Sequence, residues 1–263
     1  MKVRNLTINL YWLMRTQLGL DPRRMFRSLC GMPRYLRDFF RFRAGYSGRL
    51  GLRPCLQDWY EEAGQTKNEY FLQDLLVARK VFEAKPEKHV DIGSRVDGFV
   101  AHVASFREIE VFDVRPIASK IPGVTFKQAD LMAPIQGLAD YCDSLSCLHT
   151  LEHFGLGRYG DPIDPRGHER GLANMATLLR QDGFLYLSVP IGIDRVEFNA
   201  NRIFDPRIVL DMAMQNSLAP ISLTVIHSGG KIEVSALDDY HLSKLRSLTY
   251  SLGVFVFVKH TNG

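Results

Sequence analysis

His89-Val90-Asp91-Ile92-Gly93-Ser94, with Val111-Phe112-Asp113-Val114-Arg115 further along, decides the fold of this chain. The first stretch is an apolar run that carries an acid near its end and reverses sharply at Gly93. The second closes on Asp113, 20 residues beyond Gly93. Strand, glycine turn, helix, strand and terminal acid outline a nucleotide-binding βαβ unit. Glycine lets the chain reverse and lets a ligand approach bare backbone, and a carboxylate ending the second strand can accept both hydroxyls of a ribose. The expected ligand therefore contains an adenosine.

The same alternation continues to the end of the chain. Apolar runs predict strands over 89–92, 109–113, 124–127, 143–148, 184–189, 221–226 and 253–258. Helical periodicity falls at 69–81, 97–105 and 169–180, the last ending in a turn at Gln181-Asp182-Gly183, and Asp205-Pro206 starts a further helix. This is an α/β pattern: a Rossmann-like, seven-stranded, mostly parallel sheet with helices on both faces. We place that domain at 65–263 and read 1–64 as a basic, helical N-terminal extension.

With 263 residues and 46% hydrophobic content the chain can bury a full core. The four cysteines, Cys30, Cys55, Cys142 and Cys147, form no CxxC pair, which argues against a zinc ribbon or a disulfide framework and suits a reducing cytoplasm. No apolar run approaches the roughly 20 residues that span a bilayer, and no signal-peptide core is recognisable. The expected location is cytoplasmic, with peripheral contact on the inner membrane face as an extension of that reading. Residues 1–54 hold 12 basic residues against Asp21 and Asp38, a charge of +10, whereas the remainder has 21 basic against 27 acidic, or −6. In this basic segment Leu10, Leu13, Met14, Phe26, Phe40 and Phe42 alternate with arginines, predicting short amphipathic helices broken at Asp21-Pro22 and Met32-Pro33. Trp12, Tyr11, Phe39 and Phe40 beside basic residues suit an anionic membrane interface, and a solvated helical cap is the alternative. Without a recognised binding module, nucleic acid is not expected as a partner.

Taken in order, these features resemble the class I S-adenosylmethionine-dependent methyltransferases over residues 85 to 260. Asp91-Ile92-Gly93-Ser94 looks like the first motif of that superfamily, Asp113 its ribose-binding acid, and Ala129-Asp130-Leu131 its adenine-contacting segment. Leu151-Glu152-His153 looks like the segment after strand four, Arg180 to Leu185 like the motif leading into strand five, and Gly253 to Val258 like the seventh strand such proteins insert antiparallel. His153-Phe154-Gly155-Leu156-Gly157-Arg158-Tyr159-Gly160-Asp161-Pro162 and Phe198 to Ile203 resemble a bacterial and nematode domain-of-unknown-function family, numbered 268. Its members look like methyltransferases, some linked to surface-polysaccharide synthesis. The resemblance implies S-adenosylmethionine as cofactor, with Asp91, Gly93, Ser94 and Gly98 around its amino-acid end, Asp113 on the ribose, and Asp130 with Leu131 at the adenine. It also implies a small-molecule or glycan acceptor, most simply a sugar hydroxyl. In one respect the chain departs from the superfamily: Arg95 and Asp97 stand at the second and third glycine positions of the first motif. Either Arg95 turns outward or toward the methionine carboxylate, with Gly98 giving the close approach, or no cofactor binds and the protein is a non-catalytic scaffold that docks on a membrane or a glycosyltransferase.

Gly155, Gly157 and Gly160 spell a literal G-x-G-x-x-G, but Asp161-Pro162-Ile163-Asp164-Pro165 follows where a dinucleotide site needs a helix. The stretch reads instead as an ordered loop above the C-terminal edge of the sheet, the substrate-facing wall. Methyl transfer to oxygen needs donor and acceptor held in line and a proton removed from the acceptor, so a histidine or carboxylate beside the methyl group is expected. His153 is the first candidate for the base, with His149, Glu152, Asp161 and His168 behind it; each has a structural alternative as a hydrogen-bond partner or turn residue. Arg158, Tyr159, Asn199 and Arg202 are the candidate acceptor contacts. His149 and His153 are four apart without a His-Glu-x-x-His pattern, so no metal is expected, and no serine sits in a Gly-x-Ser-x-Gly elbow.

Overall fold

The computed structural model describes residues 11–64 and 66–260. The chain divides into two compact units, Met1–Gln65 and Thr66–Gly263.

In the first unit α1 spans Pro22–Gly45. Asp21 caps it, its carboxylate accepting from the Arg23 and Arg24 amides, and Pro22 sits in the first turn, where its missing N–H costs nothing. The break expected at Met32-Pro33 does not occur: Pro33 lies inside one continuous helix. An interior proline removes one backbone hydrogen bond and disfavours a helix by about 3 kcal/mol. Contacts from the returning chain offset this. A Cβ on Gly31 would meet Leu56 O at 2.7 Å, Gln57 Nε2 donates to Ser28 Oγ at 3.0 Å, and the Arg34 guanidinium lies 3.2 Å from the Trp59 ring centre.

The second unit opens with α2, Glu69–Ala84, capped by the Asn68 side chain, which accepts from the Tyr70 amide, and closed by Lys85 at φ 48° before Pro86. The strands are β1 (His89–Ile92), β2 (Ile109–Asp113), β3 (Val124–Gln128), β4 (Cys142–Leu148), β5 (Leu179–Ile191), β6 (Arg195–Glu197), β7 (Asn201–Ile203), β8 (Leu218–Ile226), β9 (Ile232–Ser235) and β10 (Ser251–Lys259). Eight of them form one sheet in the order β3-β2-β1-β4-β5-β10-β8-β9. The first five are parallel, and β10 runs antiparallel between β5 and β8, as the resemblance implies. The sheet has eight strands where seven were expected. The extra one, β9, returns from β8 through Gly229 and Gly230, both at positive φ, and pairs with it antiparallel. Its four residues, Ile232–Ser235, alternate apolar and polar and lack the glycine reversal that follows, and so marks, the equally short β1.

Helices cover both faces. α4 (Gly167–Leu178) and α5 (Pro206–Gln215) pack Leu172, Met175, Val209 and Ala213 against one face. α2 and the turns after β1 pack Val77, Val81, Phe99 and Val103 against the other. Strand β10 shows the period of two: Phe255 and Phe257 enter the first layer, Leu252, Val254 and Val256 the second. The turn expected at 181–183 is absorbed into β5 as a bulge, with Asp182 at φ 60° and a register break opposite Cys142/Ser144. The helix expected over 97–105 is a wide turn, Val96–Val100, followed by a single α-turn, α3 (Ala101–Ala104), because Gly98 leaves helical geometry at φ −124°, ψ −109°.

Candidate active site

β1, β2 and β4 end side by side, and their C-terminal ends open into a hollow of about 510 Å³, its mouth included. Ligands bind at this edge in open α/β sheets because the strand ends diverge and leave loop backbone exposed. Gly93 turns the chain at φ +67°, its amide donating to Phe112 O at 2.8 Å. A side chain there would strike Thr150 Cγ2 at 2.5 Å, so the glycine keeps the first loop pressed against the fourth. Gly93, Asp113, Asp130, Leu131, His149, His153, Tyr159 and Asp161, all singled out from sequence, line the hollow together.

Other candidates lie elsewhere. Asp91 is fully buried and accepts from Ser94 N (2.9 Å), Ser94 Oγ (2.6 Å) and Ser146 Oγ (2.5 Å), and burial pushes its carboxyl up to about 7. Asp91 and Ser94 thus brace the first loop from behind, and neither lines the hollow. Nor does Gly98; its close approach is to α2, where an added Cβ would meet Asp74 Oδ2 at 2.5 Å. Arg95 points outward, pairing with Asp97 at 2.8 Å with its side chain 57% exposed, and leaves the hollow clear.

Asp113 holds a partner that sequence reading missed. Arg115, two residues on, donates through Nε to Oδ1 at 3.0 Å and through a terminal nitrogen to Oδ2 at 2.6 Å, and its guanidinium lies 4.4 Å from the Tyr159 ring centre. The i, i+2 spacing at a strand end was the available signal. Asp130 turns back to accept from the Met132 amide at 2.8 Å.

Among the base candidates the environments differ sharply. His149 Nδ1 lies 2.7 Å from Glu152 Oε1, its ring stacks on Tyr70 at 4.5 Å, and Glu69 lies 3.6 Å from Nε2. Burial would push its imidazole down, but the hydrogen bond to Glu152 and the charges of Glu152 and Glu69 outweigh that and hold it at about 9. A histidine protonated at neutral pH takes no proton. Glu152 is fully buried behind it and does not reach the hollow. Asp161 spends its oxygens on the amides of Gly155, Gly157 and Tyr159, at 3.0, 3.2 and 3.1 Å, and so shapes the loop. His153 is different. Its Nδ1 lies 2.7 Å from Ala200 O and 3.3 Å from Arg158 Nη1; the carbonyl can only accept, and with the ring N–H directed at that shorter contact Nε2 keeps the lone pair. Burial lowers its affinity for a proton. Glu152 Oε1, 3.7 Å from Nε2, stands where a proton gained there would be stabilised.

Three of the four acceptor-contact candidates are structural. Arg202, 5% exposed, donates to the carbonyls of Glu152, Phe154 and Pro165, tying the β7 strand under the glycine loop. Arg158 donates to Ala200 O at 2.9 Å, and Asn199 sits at φ +62° in the β6–β7 turn, reaching only Leu156 O at 3.5 Å. Tyr159 alone lines the hollow. His168 pairs with Phe204 away from it. Among the described residues no group of three His, Cys, Asp or Glu side chains is arranged to hold a metal.

A family described as "Caenorhabditis protein of unknown function, DUF268" matches residues 119–241, a span that includes the glycine loop and the β6–β7 hairpin. No curated protein matches the chain by sequence. Among solved structures, 1,6-didemethyltoxoflavin-N1-methyltransferase of Burkholderia thailandensis, bound to its substrate and S-adenosylhomocysteine, is similar at 14% identity and TM-score 0.52, covering 78% of this chain and 81% of that one. The N-methyltransferase NodS of Bradyrhizobium japonicum WM9, in complex with S-adenosylhomocysteine, shows 12% identity and TM-score 0.51 over 76% and 91% of the two chains. SpnF, a cyclase, shows 11% identity and TM-score 0.50 over 72% and 82%. The fold is the one these three proteins share, a Rossmann-like, mostly parallel sheet with helices on both faces. SpnF demonstrates that the fold does not by itself dictate methyl transfer.

Proposed function

We propose that this chain is an S-adenosylmethionine-dependent methyltransferase that modifies a hydroxyl of a sugar or glycan precursor. The observation that supports it is the convergence of Gly93, Asp113, Asp130 and Leu131 on the hollow that His153 also lines. Bare backbone, a strand-end carboxylate and an apolar side wall suit an amino-acid tail, a ribose and an adenine in that order. When bound, the cofactor supplies an electrophilic methyl group. His153 would take the acceptor hydroxyl's proton at Nε2 as the hydroxyl oxygen replaces the thioether sulfur on the methyl carbon, and Glu152 would stabilise the resulting imidazolium. His149, kept cationic between Glu69 and Glu152, fixes the orientation of that carboxylate. Tyr159 and Arg115 line the acceptor side. The sugar class rests on the family resemblance.

The test is a thermal shift with S-adenosylhomocysteine, since a ligand selective for the folded state must stabilise it. A rise supports the reading, and none at millimolar ligand overturns it. With a panel of sugar acceptors and labelled cofactor, activity should climb as pH rises through a His153 pKa below its ordinary 6.5 and then level off. A flat profile, or an active His153→Gln variant, would remove His153 from the role of base. The rival, a scaffold that binds no cofactor, draws support from Arg115 holding both Asp113 oxygens; it gains if the thermal shift is absent.

A further inference from the structure

We propose that α1 is an interfacial helix that docks the protein on an anionic membrane surface. This inference is independent of the reading of the hollow. At 100° per residue Met25, Phe26, Leu29, Pro33, Leu36 and Phe40 fall within an arc of roughly 120°. They are uncovered: Phe26 is 68%, Leu29 72% and Phe40 66% exposed, and no residue of α1 is buried. The opposite arc carries Arg23, Arg24, Arg27, Arg34, Arg37 and Arg41, and Arg43 alone stands on the apolar side in the last turn. The rest of the unit folds back onto the basic side and leaves the apolar arc open. Leu56 meets Gly31, Gln57 meets Ser28, Trp59 meets Arg34, and Glu61 lies 3.6 Å from Arg24.

Charge complementarity selects the occupant. Seven arginines against the single acid Asp38 in α1, within a segment of net charge +10, would repel a second copy but match an anionic lipid surface. Nucleic acid would satisfy the arginines and leave the apolar arc in water. No helix among the described residues is long and apolar enough to cross a membrane, so α1 lies in the interface with its arginines at headgroup level.

Flotation of the full chain with vesicles tests this, using phosphatidylcholine alone and phosphatidylcholine mixed with phosphatidylglycerol, at low and high salt. We expect binding to the anionic vesicles only, weakened by salt. Replacing Arg27, Arg34 and Arg41 together by Gln should lower the partition coefficient about 100-fold, and Leu29→Asp with Phe40→Asp should abolish binding. Circular dichroism checks that α1 persists in both variants. Failure of the wild type to float, equal binding to neutral vesicles, or unaltered binding by the triple variant overturns the proposal. So does a dimer in sedimentation that Leu29→Asp dissociates while flotation is absent, which would assign the face to a second copy.

Discussion

Asp113 and Arg115 show how one residue pair can bear on a whole functional reading. A ribose diol needs the same two oxygens that Arg115 now occupies, so the arginine must yield. Asp113→Ala should abolish S-adenosylhomocysteine binding by calorimetry and leave the circular dichroism unchanged. Arg115→Ala removes the competitor and should tighten binding, by up to roughly fivefold given the modest worth of a half-exposed ion pair. Weaker binding in that variant would mean that the guanidinium contacts the ligand directly. The Asp113 position was readable because a strand-end acid after a glycine turn has a physical meaning in the sequence. Tyr70 and Glu69, which frame His149 from α2, were not, since 80 residues separate them and only the packed sheet brings them together.

At the scale of elements, the glycine loop is the instructive one. Gly155, Gly157 and Gly160 all take positive φ, and a Cβ at Gly155 would run into the Asp164 carbonyl. Gly155→Ala should therefore cost about 3 kcal/mol in chemical denaturation, from backbone strain and the clash together. A cost below roughly 1 kcal/mol would show that the loop relaxes. The motif's glycines serve this turn and not a dinucleotide, which their downstream prolines made legible. The continuity of α1 through Pro33 was not legible, because the contacts that offset the proline come from residues 56–59.

For the molecule as a whole, the His149 cluster ties stability to pH. Its folded pKa, about 9, lies above the ordinary 6.5, so the stabilisation is fully present below pH 6.5 and is lost as pH rises through 9. The loss should not exceed about 3 kcal/mol, and His149→Gln should flatten the stability curve over that window. An unchanged slope in the variant would show that another group titrates there. Every residue lining the hollow belongs to the unit Thr66–Gly263, which has its own two-layered core. Deleting residues 1–64 should leave S-adenosylhomocysteine affinity unchanged in calorimetry; a large loss would show that the basic unit contributes to the site.

Periodicity, turn chemistry and charge, all properties of neighbours along the chain, foretold the parallel strands, the reversal at Gly93, the acid at Asp113 and the basic character of the first unit, while the antiparallel insertion of β10 came from the family resemblance alone. Tertiary structure alone decided that Ser94 braces Asp91, that Gly98 faces Asp74, that Arg202 is spent on three carbonyls, and that His153 rather than His149 keeps a free lone pair. The reason is common to all four. A residue's role depends on which partners and how much water surround it, and in each case a deciding neighbour, such as Ser146 beside Asp91, arrives from a distant strand, helix or loop only when the sheet closes.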